Sequence, residues 1–243
     1  MTDLSQTFGK EQVAPEERRR RIRQVFESVA PRYDLMNDLM SMGIHRLWKR
    51  TLARAVAMRA GYRVLDLAGG TGDVARLLAG PGRQVMVCDP SLGMMHQGRG
   101  RGGDGIAWLG GEGESLPVAD GVLDAVTIAF GIRNVTHMDT ALREALRVLR
   151  PGGRFLCLEF SRPWAVIRPF YNAFSLTVIP RLGAWVAREP AAYHYLIESI
   201  RRFPDQETMK GYMEQAGFTG VHYRNLSMGI ACLHIGSKPV DAG

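Results

Sequence analysis

Two hydrophobic rhythms alternate along this chain. Short apolar runs at Arg63–Leu67, Gln84–Cys88, Ile106–Leu109, Leu123–Ala129 and Arg154–Phe160 read as buried strands. Segments with helical spacing lie between them. Asp73–Leu78 is one. His137–Leu149 is another, with Ala141, Leu142, Ala145 and Leu149 on one face, and Pro151-Gly152-Gly153 ends it. Strand and helix in turn, joined by short links, predict an α/β fold with a doubly wound, mostly parallel sheet. A glycine-rich, charged loop is expected over 98–105, and a helix over Asp205–Ala216. Two further strands, Gly220–Leu226 and Gly229–Gly236, close the pattern, joined through Ser227-Met228 by a turn of open type.

Two regions break the alternation. Residues 1–17 look loosely attached, then a helix is expected over Pro15–Ser28. Gly43–Met58 reads as an amphipathic helix with Leu47, Leu52 and Val56 on one side. Trp164–Ala187 is long and apolar, about the length of a bilayer span, but Arg168, Pro169, Pro180 and Arg181 interrupt it. It reads as a helical insertion covering an apolar pocket, continued by a helix over 189–201. The expected division is a basic arm and helical cap over 1–60. The main domain over 61–243 then carries a helical lid at about 164–201.

Composition adds compartment and charge. At 243 residues, 46% apolar and 23% charged, the chain is one ordinary globular domain. Cys88, Cys157 and Cys232 sit in apolar runs without C-x-x-C spacing, so no disulfide or metal site is expected, and a reducing, cytoplasmic setting is. No apolar leader is present, so no signal peptide is expected. The net charge is +7, and the first 60 residues carry +5 of it, 12 Lys and Arg against 7 Asp and Glu. The run Arg18–Arg21 with Arg23 has two readings. It is a solvated helix face beside Glu16 and Glu17, or it attracts a polyanion, either an anionic membrane or nucleic acid.

Candidate chemistry concentrates at the end of the first strand. Val64-Leu65-Asp66-Leu67 runs into Ala68-Gly69-Gly70-Thr71-Gly72-Asp73. Glycine lets backbone approach a ligand and turn with positive φ. The second strand ends on Asp89, an acid placed to accept both hydroxyls of a ribose. Gly70-Thr71-Gly72-Asp73-Val74-Ala75 formally fits a dinucleotide fingerprint. Asp66, just ahead of the glycines, argues against it, because a carboxylate repels a pyrophosphate and attracts an amine and a sulfonium. S-adenosylmethionine carries both, with Asp66, Gly70, Gly72 and Asp89 as its expected contacts.

Four blocks together resemble one family. They are Val25–Ser41 continuing into Gly43–Arg50, the glycine-rich turn, Phe130-Gly131-Ile132-Arg133-Asn134-Val135, and Tyr195–Pro204. Over nearly all of Val25–Lys238 the chain is similar to ubiquinone/menaquinone biosynthesis C-methyltransferases of the UbiE/MenG type. The resemblance implies a class I methyltransferase fold, Rossmann-like, whose seven-stranded sheet carries one antiparallel strand in its last hairpin. It implies S-adenosylmethionine as donor, with no metal, and a polyprenylated benzoquinol or naphthoquinol as acceptor. The family's donor contacts map to Thr71, Asp89 and Glu112-Gly113. Ala129 stands where the family often carries serine, Glu112-Gly113-Glu114 where it often carries Asn/Asp-Ala-Glu, and Met228-Gly229 where it often carries Gly-Gly.

A hydroquinone carbon becomes nucleophilic when its hydroxyl, a phenol with pKa near ~10, loses its proton. Arg133, after the fourth strand, is placed to stabilise a phenolate or orient a water, and its guanidinium stays charged. A structural ion pair is its other reading. Asn134 is placed to fix a ring oxygen. Asp34, Tyr33 and His45 lie in the block expected to close over the site. Asp34 is otherwise a helix cap, and His45 a plain helix residue. Competing activities are a phospholipid N-methyltransferase and a non-enzymatic subunit of a quinone-synthesis complex. Nucleic acid is not an expected partner, because Ala129-Phe130-Gly131-Ile132 stands where amino-methylating enzymes carry Asn/Asp-Pro-Pro-Tyr. A prenylated acceptor stays in the bilayer, so peripheral contact with the cytoplasmic membrane face is expected.

Overall fold

The computed structural model describes residues 6–9, 11–103, 105–174, 177 and 190–240. Its main sheet has seven strands in the order β5-β4-β3-β6-β7-β9-β8. These are β3 (Arg63–Leu67), β4 (Gln84–Asp89), β5 (Ile106–Gly110), β6 (Leu123–Ala129), β7 (Leu149–Phe160), β8 (Thr219–Leu226) and β9 (Ala231–Ser237). Pairings among β3 to β7 are parallel, and β9 runs antiparallel to both β7 and β8. The strand order reverses between β3 and β6, the switch point beyond whose carboxyl ends ligands bind in open α/β sheets.

Both faces of the sheet are covered, so the central strands are mostly apolar rather than alternating, with Asp66 and Thr127 as buried polar exceptions. Leu65 and Leu67 of β3 join one core with α6 (Met138–Val148), through Met138, Leu142, Ala145 and Val148. Val64 joins the opposite core with α3 (His45–Val56) and α4 (Asp73–Leu78), through Trp48, Leu52, Val56, Val74 and Leu78. Each fully buried Leu or Val there contributes about 1.5–3 kcal/mol. Residues 45–56 thus form part of the layer that covers the sheet.

A third core joins the two irregular regions. Ile22 and Val29 of α1 (Pro15–Val29) and Met36 of α2 (Tyr33–Ser41) pack with Tyr195, Leu196 and Ile197 of α8 (Pro190–Arg202). α1 starts with Pro at its first turn and Glu16 and Glu17 beside it, a position where a missing N–H costs nothing and acids oppose the helix dipole favourably. Of the apolar insertion, α7 (Arg168–Ala173) and the residues up to Phe174 are described. Residues 175–176 and 178–189 of the expected lid lie outside the described residues.

Two expectations are corrected, and the turn left open is described. The segment expected to be loose contains a two-residue hairpin, β1 (Thr7–Phe8) and β2 (Glu11–Gln12), and Phe8 stacks on Tyr195 at 4.7 Å. The aromatic contact supplies the attachment that local polarity conceals. β7 begins at Leu149 rather than Arg154, because Leu149 pairs with Leu123 before a bulge at Leu123/Ala125. The last hairpin turns through Ser227 and Met228, at φ 48° and 55°, and Gly229 N–H donates to Leu226 O at 3.1 Å. Gly229 follows with φ 85°, so three successive left-handed residues carry the four-residue connection between Leu226 and Ala231.

Candidate active site

A cleft of about 820 Å³, counting the open solvent at its mouth, lies beyond the carboxyl ends of β3, β4 and β6. Its floor is the turn after β3. Ala68 and Gly70 both take positive φ, 49° and 55°. A side chain on Gly70 would bring its Cβ to 3.0 Å from Met94 Cε, and one on Gly69 would meet Asp66 Oδ2 at 2.8 Å. The turn therefore fits tightly between ligand space and the strand beneath it.

Asp89 lines the cleft. Its Oδ2 accepts from Gly70 N–H and its Oδ1 from Ser91 N–H, both at 2.8 Å. Each oxygen keeps a second lone pair for a ligand hydroxyl. Burial pushes the Asp89 pKa up to about 6. Asp66 lies elsewhere. It is buried beneath the turn, accepts from Thr127 Oγ1 at 2.9 Å and from Ala75 N–H at 3.2 Å, and does not line the cleft. Burial pushes its pKa up to about 7. Asp66 ties β3 to β6 and to the start of α4. Thr71 is buried too, away from the cleft wall, and its carbonyl would meet a Cβ on Gly98 at 2.6 Å. Gly72, with φ 78°, forms the N-terminal cap of α4.

Glu112 and Gly113 line the far rim. The roof is α1 and the start of α2, through Arg19, Ile22, Arg23, Phe26 and Tyr33. Arg23 reaches Glu112 at 3.2 Å and Arg19 at 3.7 Å, so the roof is latched to the rim by charge. This placement resolves the arginine run. Arg20 and Arg21 pair with Glu17 at 2.6 and 2.7 Å, and Arg21 also with Glu11. Arg18 is buried and points into the molecule, donating to the carbonyls of Arg133, Asn134 and Val135 at 3.0–3.1 Å. The run is a set of intramolecular contacts more than a free basic stripe.

Those carbonyls belong to the opposite wall, the turn after β6. Phe130 takes φ 58°, uncommon for a bulky residue and a sign of local strain. Asn134 lines the cleft, and its Oδ1 accepts from Tyr195 O–H at 2.9 Å. Arg133 does not line it. Its Nη1 donates to Phe130 O at 2.8 Å and to Glu159 Oε1 at 2.6 Å in a buried ion pair.

The remaining expected residues lie apart from the cleft wall. Asp34 pairs with Arg101. It sits in the first turn of α2, whose N-cap is Arg32, so it is not the cap of that helix. His45 is buried at the start of α3 and bonds Asp38 Oδ1 at 2.9 Å, and burial with the nearby Lys49 charge lowers its pKa. Among the described residues, no group of His, Cys, Asp and Glu is arranged to hold a metal ion. Sequence reasoning missed Arg18 and Glu159. Arg18 was hidden in a charge run. Glu159 carries the same signal as Asp89, an acid near the end of an apolar strand.

The chemistry of the cleft fits S-adenosylmethionine. A buried carboxylate faces ligand space, with apolar Leu67, Phe26 and Met94 around it. The fold agrees. The chain superposes on a Haloferax volcanii methyltransferase in complex with the Trm112 activator, with TM-score 0.66 and 17% identity, covering 88% of this chain and 97% of that one. It also matches a Thermotoga maritima SAM-dependent methyltransferase at TM-score 0.63 and 21% identity, covering 89% and 99%. The fold is that of the class I methyltransferases. The model of the ubiE/COQ5 methyltransferase family matches residues 12–238, and the chain belongs to that family. It is 58% identical over 241 residues to ubiquinone/menaquinone biosynthesis C-methyltransferase UbiE of Rubrivivax gelatinosus, covering 99% of this chain and 96% of that protein. The protein of the same name from Acidiphilium cryptum is 50% identical, covering 94% and 95%.

Proposed function

We propose that this methyltransferase moves the methyl group of S-adenosylmethionine to a ring carbon of a polyprenylated benzoquinol or naphthoquinol, in ubiquinone or menaquinone biosynthesis. The observation that carries the reading is Asp89, a buried carboxylate facing a roofed cleft in a chain 58% identical to a protein named for this reaction. Asp89 binds the ribose hydroxyls, Gly70 and Gly72 shape the turn under the methionine part, and Glu112-Gly113 hold the adenine end. Thr71 and Asp66 act from behind, keeping the turn in place. The donor supplies an electrophilic methyl when bound.

Asn134 orients a ring oxygen of the acceptor, with its own amide fixed by Tyr195. Arg133 supplies positive charge beside the place where phenolate charge develops. Asp34 and His45 act on the roof, the first through Arg101 and the second through Asp38. Holding the two reactants together under that roof supplies much of the rate.

The acceptor's tail brings the enzyme to the membrane surface, on the cytoplasmic side. No helix among the described residues is long and apolar enough to cross a membrane. Support for surface contact comes from Trp164, Val166 and Phe170, which are exposed on the insertion, with Phe170 77% exposed. Trp164 N–H donates at 3.0 Å to Met228 O in the β8–β9 turn, at the ligand-binding edge of the sheet. The test of the whole reading is turnover by the purified chain. A short-chain quinol should gain one ring methyl. Methylation of phosphatidylethanolamine vesicles instead would favour the phospholipid alternative.

A further inference from the structure

A second, smaller cavity adjoins the turn after β6. Thr7 of the first hairpin, Arg18 of α1, Arg133 of the turn, and Tyr195, Ser199 and Arg202 of α8 line it. It shares none of its described lining residues with the cleft. Room for the centre of a water-sized body amounts to about 20 Å³, so a species of a few non-hydrogen atoms fits and a nucleotide does not. Three of the lining side chains are guanidinium groups, and no described lining residue is acidic.

Arg133 reaches this cavity with only part of its guanidinium engaged. It is 5% exposed, and Nη1 makes both of its hydrogen bonds, to Phe130 O and Glu159 Oε1. Among the described residues the edge formed by Nε and Nη2 has no partner, and Nε is buried. That edge carries two parallel N–H groups, the fork that meets two oxygens of a carboxylate or phosphate. A buried donor left unmet is rare in folded proteins, and a charged one is expensive. Glu159 offsets one positive charge but is not part of the lining.

Arg202 is the second open group. It ends α8, is half-buried, and makes no hydrogen bond or ion pair among the described residues. Glu198 stands one turn earlier on the same helix and is not paired with it. Several half-buried arginines elsewhere do meet carboxylates. Arg76 meets Asp73, Arg147 meets Glu144, and Arg101, beyond α5 (Leu92–Arg99), meets Asp34. Arg18 adds a third positive charge to the lining, while its N–H groups answer the carbonyls of Thr7, Arg133, Asn134 and Val135. The hydroxyls of Tyr195 and Ser199 donate to Asn134 Oδ1 and Leu196 O. The open donors are therefore those of Arg133 and Arg202, on two different elements.

We infer that this cavity binds a compact inorganic oxyanion of the phosphate type, held by the Nε–Nη2 edge of Arg133 and by Arg202. The bound anion joins the turn after β6 to α8. Tyr195 of that helix already holds Asn134 of the cleft wall, so occupancy firms the acceptor end from behind. This site does not depend on which acceptor the cleft takes.

The test uses the purified chain without donor or acceptor, in chloride buffer of fixed ionic strength, with inorganic phosphate replacing chloride. Phosphate should raise Tm to a plateau, by about 4 °C at about 20 mM, as a ligand with Kd of about 1 mM does in a chain of this size. Calorimetry should give one saturable site. Arg202→Gln should weaken that site about tenfold or more, the loss of a charge-assisted bond, and Arg20→Gln on the exposed face of α1 should leave it unchanged. A Tm rise without a plateau, or one equal in Arg202→Gln and wild type, is the general stabilising effect of phosphate salts and overturns the inference. So does a wild-type isotherm with no saturable site, which leaves only water to the cavity. If Arg202→Gln does not fold, Ser199→Glu decides. A carboxylate placed in the lining should raise Tm in chloride and erase the increment from phosphate. An increment that survives it overturns the inference.

Discussion

The two ends of the cleft are held in different ways. At the donor end, Gly70, Asp89 and Ser91 lie within one strand–helix–strand unit and bond one another through backbone N–H groups. At the acceptor end, the turn 130–136 is gripped from far along the chain. Arg18 reaches it across more than 110 residues, Glu159 from β7 and Tyr195 from α8. The donor end is a local device that any sheet of this topology can carry. The acceptor end exists only when the N-terminal helix, the sheet edge and the insertion are all in place. A damaged donor contact should therefore cost ligand affinity, and a damaged acceptor contact should cost the fold.

The largest expected effect is at the acceptor end. Arg133→Ala leaves the Glu159 carboxylate buried and unpaired, which should destabilise the protein by about 3–5 kcal/mol. Urea unfolding measures it. A loss below about 1 kcal/mol would mean that the grip on the turn does not depend on this pair.

At the donor end the expected losses are smaller and of another kind. Asp89→Ala should weaken S-adenosylmethionine binding by about 1–3 kcal/mol in calorimetry. Acid offers a milder form of the same change. The ionised carboxylate is the form that accepts from two hydroxyls, and Asp89 titrates at about 6. Donor affinity should be flat above pH 7 and fall about tenfold per unit below pH 6. Affinity that is level down to pH 5, or an Asp89→Ala variant that keeps the same pH dependence, would remove Asp89 from the ribose.

The same contrast explains what the sequence disclosed. Strand runs, the turn glycines and Asp89 were legible because each depends on neighbours a few residues away. Asp66 was legible as an acid but not as a buried one, since nothing local says that Thr127 and Ala75 will take its oxygens. Arg18 was misleading for a physical reason. Five arginines within six positions raise the expectation of a solvated stripe, and only the tertiary fold shows one of them answering three carbonyls. The Phe8–Tyr195 stack and the Arg133–Glu159 pair are long-range partnerships that periodicity does not encode.

The smallest expected effect sharpens that point. Arg20 belongs to the same run as Arg18, but its side chain is 67% exposed and, among the described residues, its ion pair is with Glu17. Arg20→Ala should change stability by less than about 0.5 kcal/mol, whereas Arg18→Ala should cost about 2 kcal/mol or more through its abandoned carbonyls. Equal costs for the two would return the run to a uniform surface feature.

The central claim is that one cleft joins this donor to a quinol ring carbon. Its most direct measurement is single-turnover reaction of the purified chain with methyl-¹³C S-adenosylmethionine and a short-chain quinol, read by carbon NMR of the product. The account predicts the label as a methyl on the aromatic ring. Label on oxygen or nitrogen, or none on the quinol while the donor still binds in calorimetry, would contradict it.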